Sequence, residues 1–129
     1  MNEASNPSTV APPLGAYAHT IRVPADAEWL VISGQVGVSR AGKLANGPLK
    51  QTEQCYKNVL ACLKANGMSK KDLVKTTVYI TDSRYVADFR AGRDNVLGTD
   101  VQPTSTLVVV QGLAAPDILV EIEAWAAKS

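Results

Sequence analysis

With 129 residues the chain has room for one hydrophobic core and little room for two, so a single domain is expected. Its 46% hydrophobic and 19% charged residues exclude disorder throughout, and 13 Lys+Arg against 12 Asp+Glu leave a net charge of +1, too little to draw in nucleic acid or polyanions. No apolar run approaches the roughly 20 residues of a membrane-spanning helix, and the N-terminus lacks the basic and apolar regions of a secretory signal. A cytoplasmic protein with no membrane or nucleic-acid partner is the expectation.

Residues 1–14 hold Asn, Ser, Thr and three prolines without periodicity, so they read as an extended arm rather than an element, and the domain is expected to occupy 15–129. Residues 17–23 and 29–38 are β-rich runs separated by Pro24, Ala25, Asp26 and Ala27, a short turn that predicts an antiparallel pair. A turn-rich stretch over 39–48, with Gly42, Gly47 and Pro48, precedes a helix over 49–66. There Cys55, Tyr56, Val59, Leu60 and Leu63 recur at helical spacing, and Gly67 stands where a left-handed residue would end the helix.

Residues 73–81, rich in Val, Thr, Tyr and Ile, predict a third strand. Asp82 or Ser83 caps a second helix to about Leu97, with Tyr85, Val86, Phe89 and Val96 inward. Strands over 104–111 and 118–127 complete the order β-β-α-β-α-β-β, an α+β domain. Cys55 and Cys62 stand about 10 Å apart along the first helix, which excludes a disulfide between them and reads as two small buried hydrophobes. With His19 the only histidine, soft ligands are too few for a zinc site.

Two helices cover one face of such a sheet. In the last strand Ile118, Val120, Ile122, Ala124 and Ala126 alternate with Leu119, Glu121, Glu123, Trp125 and Ala127, and the first set reads as the helix-facing core. The open face is expected to carry Val31, Leu107, Val109 and Trp125, an apolar patch that copies of the same chain would cover. The alternative cover is the arm before Gly15.

Gly15-Ala-Tyr17-Ala-His19, Ile32-Ser33-Gly34-Gln35, the run from Val74 to Asp82, Pro103-Thr-Ser-Thr and Val120-Glu-Ile-Glu-Ala124 resemble, in order, signatures of the RidA/YjgF family. The resemblance spans about residues 15–127, and its last motif is the most specific. It implies a chorismate-mutase-like fold with two helices on one face of the sheet. It also implies a homotrimer with sheets turned inward, and small-molecule clefts at subunit boundaries. Active members hydrolyse enamines and imines to carbonyl compounds and ammonia, with no metal or organic cofactor. Tyr17, Ser33, Gly34 and Glu121 match cleft positions, Glu121 the carboxylate that directs the attacking water. The other reading of Glu121 and Glu123 is as polar residues at a wet interface, and of Tyr17 as a packed aromatic.

Two residues depart from this pattern. Where active deaminases carry an arginine that grips the substrate carboxylate through two charged hydrogen bonds, this chain has Ser105, and Leu107 replaces a cysteine. A hydroxyl supplies no charge, and a hydrogen bond to an ion contributes about 1.5–3 kcal/mol. Arg90, on the inner part of the second helix, is the one replacement the chain offers, against a plain reading as a solvated arginine or one paired with Asp94. The functions that follow are an enamine or imine deaminase, a non-catalytic or regulatory metabolite-binding protein, and, disfavoured by the neutral charge and few aromatics, a ribonuclease.

Overall fold

The computed structural model spans residues 1–129. In chain order the strands are β1 (Glu3–Ser5), β2 (Thr20–Arg22), β3 (Glu28–Val36), β4 (Leu73–Ile80), β5 (Thr104–Val109) and β6 (Val120–Lys128), with helices α1 (Gly47–Ala65) between β3 and β4 and α2 (Val86–Leu97) between β4 and β5. Four strands form the main sheet in the order β3-β6-β4-β5. β6 lies antiparallel to both β3 and β4, whereas β5 runs parallel to β4. A parallel neighbour needs a crossover long enough to return the chain, and α2 supplies it.

Both helices pack on one face of this sheet, as the sequence predicts. α1 sets Cys55, Tyr56, Val59 and Leu63 against Val120, Ile122, Ala124 and Ala126 of β6, all essentially without exposure. Tyr56 also meets Phe89 of α2, their ring centroids 6.3 Å apart. A fully buried Leu or Val contributes about 1.5–3 kcal/mol relative to exposure, so this seam holds the fold. α1 begins two residues earlier than predicted because Pro48 occupies its first turn, where a missing N–H costs nothing. Past its end Gly67 takes φ +70°, the left-handed conformation anticipated for it.

α1 also presses on the chain after β3. A Cβ on Gly37 would stand 2.7 Å from the Cα of Gln51, a backbone atom that cannot rotate aside. Gly37→Ala is therefore expected to push α1 outward and lower stability by about 1–3 kcal/mol, seen as a reduced Tm in differential scanning calorimetry. Burial pushes the Cys55 thiol up to about 12, with the nearby Glu121 charge adding to the effect. At pH 8 the thiolate fraction is then roughly one in ten thousand, so Ellman's reagent should leave Cys55 unmodified until the protein unfolds. Both cysteines are free thiols.

Three expectations need correction. Residues 17–23 do not pair with the following strand: β2 is only Thr20–Arg22 and its partner is β1, in the register Glu3↔Arg22. The preceding backbone is engaged elsewhere, Ala18 N–H donating to Pro103 C=O at 3.2 Å and His19 N–H to the Asn6 side chain at 2.8 Å. The arm is thus extended but not free of structure, and it adds one strand to the predicted order. Nor does it shelter the open face. Asn2 bonds the Ala127 carbonyl at 2.9 Å, while Trp29, Val31 and Trp125 stay 52%, 61% and 41% exposed.

The third correction concerns β5. Its parallel register sets Ser105 beside Thr76 and Leu107 beside Val78, and those β4 residues are buried on the helix side. Leu107 therefore packs toward the core, and Val109, beside Ile80, shares its side although it emerges at the strand's end. Thr106 and Val108 take their places on the open face. Trp29 and Trp125 meet there edge to face at 6.0 Å, with Val31 paired to Trp125 across β3 and β6.

Candidate functional site

The fold collects the seven candidate residues of the sequence into two groups. Tyr17, Arg90, Ser105 and Leu107 line a single cavity of about 540 Å³ between α2, β5 and the loop after the arm. Ser33, Gly34 and Glu121 stand together on the other side of the sheet. Glu121 sits opposite Tyr79 in the β4–β6 pair, on the face away from the helices, whereas Ser105 sits opposite buried Thr76. The sheet therefore separates the two groups within one protomer.

The cavity is assembled by local bonds. Ala18 N–H to Pro103 C=O ties the Tyr17 loop to the entry of β5, and Leu14 N–H donates to the Tyr17 phenol oxygen at 3.1 Å. Arg93, buried on α2, donates to Val101 C=O at 2.6 Å and to Gly98 C=O at 3.2 Å, which fixes the loop that delivers Ser105. Val86, Phe89 and Leu107 supply apolar wall. Arg93 was missed in the sequence because an arginine reads as solvated. The available signal was its spacing, four residues after Phe89 and seven after Val86 on the same stripe.

Arg90 enters the cavity without an ion-pair partner. The Asp94 carboxylate proposed for it is instead bonded to Arg93 at 2.9 Å, and none of the protomer's four ion pairs includes Arg90 or Glu121. Arg90 Nε lies 3.9 Å from the point a Cβ on Gly15 would occupy, beside the Tyr17 ring.

On the other face the ladder between β3 and β6 breaks its register between Ile32 and Gln35. Two residues bulge there, Ser33 and Gly34, and both are exposed. A Cβ on Gly34 would fall 2.0 Å from Glu121 Oε2, so the glycine gives the carboxylate its place over the bulge. Gly34→Ala is expected to rotate Glu121 away rather than unfold the chain, because the clash is with the far end of a side chain. The measurable outcome is an unchanged Tm with any Glu121-dependent activity lost.

The two glutamates of β6 differ in their surroundings. The Tyr79 hydroxyl donates to Glu123 Oε1, and that bond, followed by burial and the two neighbouring carboxylates, raises the phenol above its ordinary value. Glu123 is thereby occupied. Glu121 has no such partner and is the carboxylate available to a ligand.

The element order and sheet topology define a chorismate-mutase-like α+β domain. The family described as "Endoribonuclease L-PSP" matches residues 8–128. A RutC family protein of Aquifex aeolicus is 34% identical over 130 residues, spanning 99% of this chain and 100% of that protein. A second, RutC family protein PH0854 of Pyrococcus horikoshii, is 34% identical over 118 residues, 90% of each. Among solved structures, YyfB of the Rid protein family from Yersinia pestis superposes with a TM-score of 0.86 at 27% identity, covering 98% of both chains. The YjgF gene product of E. coli gives 0.74 at 27% identity, covering 96% of this chain and 94% of that one. The chain belongs to the RidA/YjgF family. No helix is long and apolar enough to cross a membrane.

Proposed function

We propose that the protein hydrolyses a reactive enamine or imine to a carbonyl compound and ammonia, in clefts formed where copies of the chain meet in a homotrimer. The observation that carries this reading is the division of the site. One protomer holds its water-directing candidate, Glu121, on the open face of the sheet and its cavity on the helix side. A neighbouring copy that covers Trp29, Val31 and Trp125 would bring its own cavity to the first protomer's Ser33–Gly34 bulge.

In such a cleft an enamine first tautomerises to its imine. Water then adds to the imine carbon while Glu121 takes the proton released and passes it to the nitrogen, giving a carbinolamine. Collapse forms the C=O bond and breaks C–N as the same carboxylate carries the hydroxyl proton to the departing nitrogen, which leaves as ammonia. Ser33, Gly34, Tyr17 and Ser105 shape the pocket, and the step requires no metal or organic cofactor. The test is a panel of imines generated in situ by an amino-acid oxidase, with ammonia or carbonyl product followed against buffer. Acceleration of at least one imine supports the reading; buffer rates for the whole panel contradict it.

Ser105 in place of the arginine that the family resemblance calls for favours one second reading, a cleft that binds a metabolite without turning it over. A ligand that raises Tm while remaining chemically intact would establish that alternative. The family description carries the word endoribonuclease, but a net charge of +1 and apolar cavity walls fit a small organic molecule better than a phosphate backbone.

A further inference from the structure

We infer that Arg90 is the residue that selects anionic ligands in this cavity, doing from α2 what position 105 on β5 does not. The inference rests on the proposed cleft and specifies which chemical group it grips.

Three observations carry it. First, the cavity is lined by two arginines and one carboxylate. The carboxylate, Asp94, is bonded to Arg93, whose guanidinium also serves the Val101 and Gly98 carbonyls, so that pair is internally neutral and spent on structure. The positive charge left over is Arg90. Second, the Arg90 guanidinium has no ion-pair partner, and it stands against the Gly15–Tyr17 loop with its Nε 3.9 Å from the Gly15 Cβ position. A solvated arginine whose only task is to keep the surface polar has no reason to face a concave wall. Third, the remaining polar side chains of that wall are the hydroxyls of Ser105 and Tyr17. Ser105 Oγ and Tyr17 Oη can each donate to an anion, while Leu107, Val86 and Phe89 are suited to an apolar body.

The ligand this wall fits is a carboxylate attached to a short apolar chain, its two oxygens on the guanidinium fork with a hydroxyl in support. The charge reaches the cavity from the helix, so the anion sits further from β5 than an arginine at 105 would hold it. Lysine should be a poor substitute, because it offers a point charge in place of a planar fork.

The test measures binding and so does not depend on turnover. Dissociation constants for 2-oxobutanoate and for its neutral counterpart 2-butanone are determined by ligand-observed NMR on the full-length protein, Arg90→Gln and Arg90→Lys. The expected result is a 2-oxobutanoate affinity weakened on the order of 10- to 100-fold in Arg90→Gln, with 2-butanone unchanged and Arg90→Lys intermediate. Arg90 is exposed, so the variants should fold, and matching Tm values verify it. Adding Ser105→Arg to Arg90→Gln should restore binding by returning the charge from the opposite wall. Equal 2-oxobutanoate affinity in wild type and Arg90→Gln, or equal weakening of both ligands, overturns the inference. So does the absence of 2-oxobutanoate binding to wild type at millimolar concentration. A protein that binds 2-oxobutanoate through Arg90 yet hydrolyses no imine would refute the catalytic proposal and leave this one standing.

Discussion

Glu121→Gln is expected to lower imine hydrolysis by roughly 100- to 10,000-fold, the range that a positioned general acid–base supplies. The substitution keeps the size of the side chain and its place over Gly34 but removes the ability to accept a proton. Folding should be unaffected, since Glu121 joins none of the protomer's ion pairs and its strand is anchored by Val120 and Ile122 on the opposite side. Glu123→Gln is the internal control. Its carboxylate is held by Tyr79, so its loss should lower the rate far less than the loss of Glu121 does. Steady-state rates for the two variants, with equal Tm, separate a catalytic carboxylate from a merely polar one. Equal activity of Glu121→Gln and wild type contradicts the assignment.

The second large effect is a gain. Ser105→Trp should fill the cavity and abolish activity, as Glu121→Gln does from the other face. If each site draws its cavity from one copy and its glutamate from the next, subunits unfolded together and reassembled in equal amounts should recover activity. Random assortment leaves about a quarter of the sites with both contributors intact, so about a quarter of wild-type activity is expected. Assembled apart and mixed afterwards, the two should stay inactive. A site made within one chain gives no recovery under either protocol.

Much of the fold is legible in the residues themselves. The inward set of β6 follows from periodicity, because Val120, Ile122, Ala124 and Ala126 alternate without interruption, and β4 follows from its Val, Thr, Tyr and Ile content, ending one residue short of the expected Thr81. The β5 face was misread for a physical reason. Its alternation is equally apolar on both sides, and only the parallel register with β4 decides that Leu107 turns toward α2 while Val108 turns out. β1 was missed because three residues among prolines carry no period, and its pairing with β2 is a long-range contact that local pattern does not encode.

The site was legible one residue at a time. Tyr17, Ser105 and Glu121 came from motifs, but their distribution over two faces of the sheet is a property of topology. The fate of Asp94 was invisible too. At four residues from Arg90 it looks like a helix ion pair, yet the neighbouring Arg93 holds it and leaves Arg90 free.

Sedimentation equilibrium of the full-length protein at micromolar concentration tests whether the open face is closed by further copies of the chain. The expected result is a single species of about three times the 13.7 kDa chain mass, falling to the chain mass when Trp125 is replaced by glutamate. A stable, folded wild-type species of 13.7 kDa under the same conditions would contradict it.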